Sequence, residues 1–373
     1  MRSTSSRASS ICTLVLLLVA STAVGFAQEL KLSPEKKAKL ESQISIFMTT
    51  NHVPGVSVAV VENGEHEWTQ GFGMADLENF VPATSKTLYR LASISKPLTA
   101  VAAMQLWEQG KLDLEAPVQR YCPEFPQKPW PVTTREVMAH LGGIRHYRAE
   151  SQNDLEGGNT IHFDNTIAAG LKFFKDDPLV AQPGTKFNYS TQGYTLVGCV
   201  IEGASSAKYV EYLRAHVFSG AGMVQTQADD RLAIIPYRTR FYRKDVDGRV
   251  VNADPLDSSY KIPGGGWLSS AEDMAQFEVA MLNDKLVHRS TRDAMWTPQR
   301  LSDGSMSDYA LGWGTKKDDG VATVGHGGGQ QGTSTFILLA PDQRAGIVIL
   351  ANMEALDVSA LAHAMLKILL SKP

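Results

Sequence analysis

The chain has 373 residues, 43% of them hydrophobic and 20% charged, with a formal net charge of −3. That length and composition suit one large globular domain or two intertwined ones. The near-neutral charge and the lack of a polybasic run exclude binding to nucleic acid or anionic lipid driven by bulk charge.

Arg2 and Arg7 precede an apolar run over 11–20, and the small-residue end Gly25-Phe26-Ala27 follows. This is the layout of a cleaved signal peptide, residues 1–27, with a cut after Ala27. The run is short for a spanning helix. The expectation is a mature domain over 28–373, periplasmic or secreted, without a membrane span. Cys12 leaves with the signal, so only Cys122 and Cys199 remain. Cys199 sits in an apolar run and reads as a small buried hydrophobe, and a Cys122–Cys199 bridge fits an oxidising compartment; both readings stand at this point.

Ser33-Pro34-Glu35 opens a helical pattern to residue 50, with Leu40, Ile44 and Phe47 on one face. Pro54-Gly55 breaks it. Residues 56–61 read as a strand, 62–65 as a hairpin turn and 67–73 as the returning strand. Residues 91–100 then start a helix whose continuation is largely apolar. Residues 112–130 are loop, and 132–136 open a helix that runs to His140 and stops at Gly142-Gly143. The polar, Gly- and Asp-punctuated stretch 148–183 is a candidate wall or lid.

Residues 187–194 lead into an apolar helix ending at Gly203, and 208–217 form another. The charged segment 231–261 reads as a surface hairpin. Ser270 caps a further helix. Strands are expected at 311–314, 322–324, 335–339 and 345–350, and a last amphipathic helix at 358–370. The sheet thus draws on both ends of the chain, about 34–90 and 300–373, with a helical insertion over about 91–299. The fold class is α/β (α+β), an antiparallel sheet flanked by helices.

The chemistry starts at Ser93-Ile94-Ser95-Lys96. Residues three apart share a helical face. A serine hydroxyl needs a base, and a lysine serves only if burial or nearby positive charge lowers its pKa. The apolar residues after Lys96 supply that dehydration. Alone, the tetrapeptide also reads as a capping serine beside a solvated lysine, with Ser95 a rival cap before Pro97.

Two later marks fall in order, Tyr189-Ser190-Thr191 and His326-Gly327-Gly328. The set resembles the serine β-lactamase and penicillin-binding protein superfamily. It is similar to the class C β-lactamase and esterase branch, and in residues 90–147 and the Tyr-Ser-Thr form to that branch's mitochondrial β-lactamase-like members and their bacterial relatives. Pro183-Gly184-Thr185, the stretch 263–269 before Asp273-Met274, and Leu311-Gly312-Trp313 also match, so the likeness covers most of 40–352.

The resemblance implies a β-lactamase/DD-peptidase-like fold and a serine hydrolase. Ser93 would be acylated, Lys96 with Tyr189 would take its proton, and Tyr189 would pass the proton to the leaving group. His326 would line the opposite wall and orient substrate. Gly327-Gly328-Gly329 would admit an acyl group closely, with the Ser93 and Gly329 N–H groups as the oxyanion hole. Thr191 stands where the branch has asparagine, which puts β-lactam hydrolysis in doubt more than acylation. The expected substrates are small peptide-like, ester or β-lactam compounds, with no cofactor and no metal. His140, His146, His162 and Asp164 fit no metal-ligand spacing. The alternative is a penicillin-recognising sensor or an assembling scaffold with little turnover.

Overall fold

The computed structural model describes residues 32–148 and 159–371, besides Met1. The expected signal segment and residues 149–158 of the proposed lid therefore lie outside the described residues. Helix α1, Pro34–Asn51, starts at an N-cap Ser33 whose side chain accepts from Lys36 N, with proline in the first turn. It ends at His52 in the left-handed region, φ 54°.

Strands β1 (Gly55–Glu62) and β2 (Glu65–Asp76) follow, joined through Asn63 and Gly64 at positive φ. That is the two-residue turn whose twist suits a hairpin. Short strands β3 (Val81–Pro82) and β4 (Tyr89–Arg90) precede the serine turn Ala92–Ile94, which runs into α2, Ser95–Glu108. Helices α3 (Thr134–Met138), α4 (Thr166–Lys172) and α5 (Thr191–Ser205) come next. Then come strands β5 (Gln227–Ala228), β6 (Tyr242–Lys244), β7 (Val250–Asn252) and β8 (Trp267–Ser269). The C-terminal third supplies β9 (Gly314–Asp318), β10 (Val321–Gln330), β11 (Thr333–Ala340) and β12 (Ala345–Ala351), then the helix Val358–Leu370.

The main sheet has the order β3-β2-β1-β12-β11-β10-β9, and its neighbouring strands pair antiparallel. Strands from both ends of the chain meet at β1 and β12, as expected. Alternation along β1 divides the core. Val56, Val58 and Val60 pack with α1 and the helix Val358–Leu370, while Ala59 and Val61 join the cluster containing α2 and the helix Ala271–Leu282. A sheet covered on both faces needs apolar residues at every position, which is why β1 and β12 read as continuous runs.

The inserted region is mostly helical, as expected, with the hairpin β6-β7 inside it and its strands β8 and β5 joining β4 in a small sheet. One expectation changes. Residues 311–313 are not strand. Gly312 sits at φ 87°, and a β-carbon there would fall on Ala100 Cβ of α2, so the chain turns against that helix before β9 begins at Gly314. Cys122 and Cys199 are disulfide-bonded. Among the described residues no helix is long and apolar enough to cross a membrane.

Candidate active site

The segment before Ser93 is held from two sides. β4 pairs with β8, and Leu91 N donates to Trp267 O at 2.8 Å. The Thr333 and Thr335 hydroxyls of β11 donate to Arg90 O and Leu91 O, each at 2.9 Å. Ala92 follows in the left-handed region, φ 47°, a conformation that costs a residue with a β-carbon and persists only when its surroundings enforce it. The turn delivers Ser93 to the start of α2. Neither Ser93 nor Ser95 caps the helix: Ile94 occupies the N-cap with no side-chain bond.

Lys96 is fully buried. Its Nζ stands 2.9 Å from Ser93 Oγ, 2.8 Å from Gly264 O and 3.2 Å from Thr191 Oγ1. Burial, with the charge of Lys261, holds its pKa well below the ordinary lysine value. A neutral amine has two N–H bonds and one lone pair. In that form Gly264 O and Thr191 Oγ1 would take the N–H bonds and the lone pair would be left for the Ser93 O–H. Thr191, although shorter than asparagine, thus reaches the lysine.

Tyr189 lies over Lys96, whose Nζ is 4.8 Å from the ring centroid. Burial pushes its phenol up, with the Ser93 hydroxyl pulling the other way. Both shifts favour the uncharged forms, a neutral amine beside a protonated phenol.

Two of the histidines that fit no metal-ligand spacing, His140 and His146, clamp this motif. His140 O accepts from Asn188 N at 2.8 Å, His140 Nδ1 from Ser190 N at 3.1 Å, and His146 Nδ1 from Thr191 N at 3.2 Å. The His140 ring also sits 4.3 Å from the Tyr189 ring. Burial and neighbouring cations hold His146 down at about 4. Nδ1 as acceptor on both fixes the neutral tautomer with the proton on Nε2. His162 is bonded to Asp257 at 3.1 Å.

A cleft of about 370 Å³ is lined by Ser93, Tyr189, Thr191 and Gly329, together with His146, Tyr147, Lys261, Gly264, Gly265, Gln330 and Gln331. His326 and Gly328 are not among these residues. His326 stands behind Tyr189, ring centroids 6.3 Å apart, and lines a separate hollow of about 310 Å³. Its Nδ1–H donates to Gly327 O at 2.6 Å and its Nε2 accepts from Tyr309 OH at 2.9 Å. Burial lowers its pKa to about 3. With both nitrogens engaged, His326 packs beside Tyr189, which lines both hollows. Gly328 is a packing position, where a β-carbon would fall on Leu91 O and Thr335 Oγ1. Gly329 has open space and faces the cleft.

Lys261 was not singled out from the sequence. The charged segment 231–261 suggested a surface hairpin, and Tyr242–Asn252 does form one, but residues 256–261 turn inward and are buried. The isolated signal was a lysine beside Ile262-Pro263 within an otherwise uncharged stretch, 258–271.

Residues 40–371 match the Beta-lactamase family. The human serine beta-lactamase-like protein LACTB, mitochondrial, is 34% identical over 380 residues, which cover 78% of this chain and 69% of that one. The octameric penicillin-binding protein homologue from Pyrococcus abyssi superposes with a TM-score of 0.77 at 29% identity, over 90% of this chain and 78% of that one. A penicillin-binding protein from Bacillus halodurans shares the fold, with a TM-score of 0.74 at 24% identity, over 87% of this chain and 99% of that one.

Proposed function

Since the chain belongs to the Beta-lactamase family, whose fold serves serine hydrolases, we propose that it hydrolyses amide or ester bonds of peptide-like substrates through an acyl-enzyme on Ser93. The observation that carries this reading is the buried Lys96 amine, 2.9 Å from Ser93 Oγ, with its N–H bonds already committed.

Ser93 Oγ attacks the substrate carbonyl while its proton passes to Lys96. The oxyanion is held by the N–H groups of Ser93 and Gly329. The carbon–nitrogen or carbon–oxygen bond then breaks, and the leaving group takes a proton from Tyr189, which recovers one from Lys96. Water repeats the sequence on the acyl-enzyme, with the lysine–tyrosine pair as base and Ser93 as leaving group. The domain that does this is residues 28–373, following a cleaved segment over 1–27. Export rests on that segment alone, and the mitochondrial name of the human relative lends it no support.

The test is a fluorophosphonate label with peptide mapping, alongside hydrolysis of nitrocefin, a p-nitrophenyl ester and a D-Ala-D-Ala peptide. The label should map to Ser93 and vanish in Ser93→Ala, with ester or peptide turnover exceeding that of nitrocefin. A label elsewhere would end the proposal. Stoichiometric acylation without turnover would favour the sensor reading.

A further inference from the structure

The Cys122–Cys199 disulfide has a carboxylate beside it that the oxidised pair cannot use. Glu124 Oε2 stands 3.7 Å from Cys199 Sγ. A disulfide sulfur carries no hydrogen, so the carboxylate receives no hydrogen bond from it. Among the described residues, Cys122, Glu124 and Cys199 are the one group of three His, Cys, Asp or Glu side chains whose ligand atoms all lie within 4.8 Å of one another.

Backbone contacts seat these residues together besides the covalent bond. Cys122 N donates to Val118 O at 2.8 Å and Phe125 N to Cys122 O at 3.1 Å, so a tight turn presents Cys122 and Glu124. The turn lies against α5, which carries Cys199. A β-carbon at Gly203 of that helix would fall on Tyr121 O, an approach that only glycine admits. The cysteine Cα atoms, 5.4 Å apart, therefore stay neighbours once the bond opens. A hollow of about 520 Å³, lined by Glu124 and Cys199, gives a reductant and an ion their way in. Lys172, Lys175 and Lys208 line it too. Two thiolates and a carboxylate around a divalent ion leave one net negative charge, which these ammonium groups offset.

We propose that Cys122 and Cys199, once reduced, bind a zinc ion together with Glu124. A dithiol reductant supplies two electrons and two protons, the S–S bond breaks, and the reductant leaves as its own disulfide. Zinc then releases the two thiol protons to solvent as two Zn–S bonds and one Zn–O bond form. Thiolate with carboxylate is a donor set that zinc accepts. Zn–S bonds of about 2.3 Å and a Zn–O bond of about 2.1 Å place tetrahedral ligand atoms about 3.6–3.8 Å apart. Glu124 Oε2 already stands at that distance from Cys199 Sγ, and the sulfurs separate to it by rotation about χ1. The fourth position faces the hollow and takes water. Glu202 lines the hollow as well, but its Oε1 already accepts from Tyr209 N at 2.9 Å. Under reducing conditions the ion takes over from the disulfide as the tie between the Cys122 turn and α5.

The experiment uses the full chain, either oxidised or reduced with a dithiol that gel filtration under nitrogen then removes. After incubation with Zn²⁺ and a second gel filtration, the reduced chain should retain about one zinc ion and the oxidised chain none. Cd²⁺ in place of zinc should give the thiolate-to-cadmium absorption band in the reduced chain alone. Glu124→Gln should weaken zinc binding by about tenfold or more. Cys122→Ser with Cys199→Ser should abolish retention and band, which separates this site from Cys12. Because that variant loses the disulfide, iodoacetamide on the reduced, unmodified chain supplies a second readout. Zinc should slow alkylation of Cys122 and Cys199, followed by peptide mapping.

A reduced chain that retains no zinc overturns the proposal. Equal retention by the oxidised chain does the same, as does an unchanged affinity in Glu124→Gln or alkylation of both cysteines that zinc leaves unslowed. None of these outcomes depends on the hydrolase reading above.

Discussion

Lys96 meets Ser93 across one helical turn, its Nζ 2.9 Å from the hydroxyl and its two N–H bonds directed to Gly264 O and Thr191 Oγ1. The lone pair has only the serine to accept from. Lys96→Met should lower kcat/KM for esters by about a thousandfold, within the range general-base groups contribute. Lys96→Arg should fare no better, because a guanidinium keeps its proton. Tyr189→Phe keeps the ring and loses the relay, and should cost about a hundredfold or more. Steady-state ester hydrolysis and the rate of fluorophosphonate labelling check all three.

Activity should follow the neutral form of Lys96, rising with pH from an acid limb to a plateau. His146, at about 4, and His326, at about 3, stay neutral through the ordinary range and contribute no limb there. The charge of Lys261 lowers Lys96, so Lys261→Met should move the acid limb to higher pH. Stability follows the same sign. Between the depressed folded pKa and the ordinary value of about 10.5, the unfolded chain holds a proton that the folded one does not. Lys96 thus makes stability rise with pH through that window, and Lys96→Met should flatten the slope in thermal melts.

Gly328 and Gly329 are adjacent yet should respond in opposite ways. A methyl at 328 would fall on Leu91 O, a backbone atom two residues before Ser93. Gly328→Ala should therefore cost about 2 kcal/mol of stability or more, together with activity. A methyl at 329 meets open space, so Gly329→Ala should leave stability within about 0.5 kcal/mol and act on KM. Urea unfolding and kinetics on the pair separate packing from the cleft.

Glu278, fully buried between the helix Ala271–Leu282 and the sheet, has its carboxyl pushed well up by burial, partly opposed by the Leu338 backbone. A raised folded pKa gives stability that is present below the ordinary value of about 4.5 and lost as pH rises through the folded one. Glu278→Gln should match the parent at pH 4 and melt higher at pH 9.

The disulfide closes a separation of 77 residues and ties the loop at Cys122 to α5, whose first turn carries Thr191. Reduction, or Cys122→Ala with Cys199→Ala, should lower stability by about 2–4 kcal/mol. Unfolding with and without reductant checks this.

Much of this architecture could be read from the chain. Continuous apolar runs marked β1, β11 and β12, and Ser33 and Ser270 marked helix starts. The Ser93–Lys96 spacing placed both groups on one helical face. Other features depend on distant packing. Residues 311–313 have strand-like composition, but α2 presses on Gly312 and forces a turn. His326 lies on β10 as expected, yet Tyr309 OH and Gly327 O occupy both of its ring nitrogens. Lys261 looked like one more surface charge because nothing local shows that residues 256–261 turn inward. The clamp formed by His140 and His146 is not legible locally, since their partners, Ser190 N and Thr191 N, belong to another segment.

The two threonines that anchor the backbone ahead of the nucleophile belong to β11, and Thr335 is 244 residues downstream of the Leu91 carbonyl it holds. A ribosome making this chain releases the reactive serine long before its anchors exist. Nascent and C-terminally truncated chains should therefore be inert toward acyl donors, with Ser93 labelling expected only once the last third has folded back.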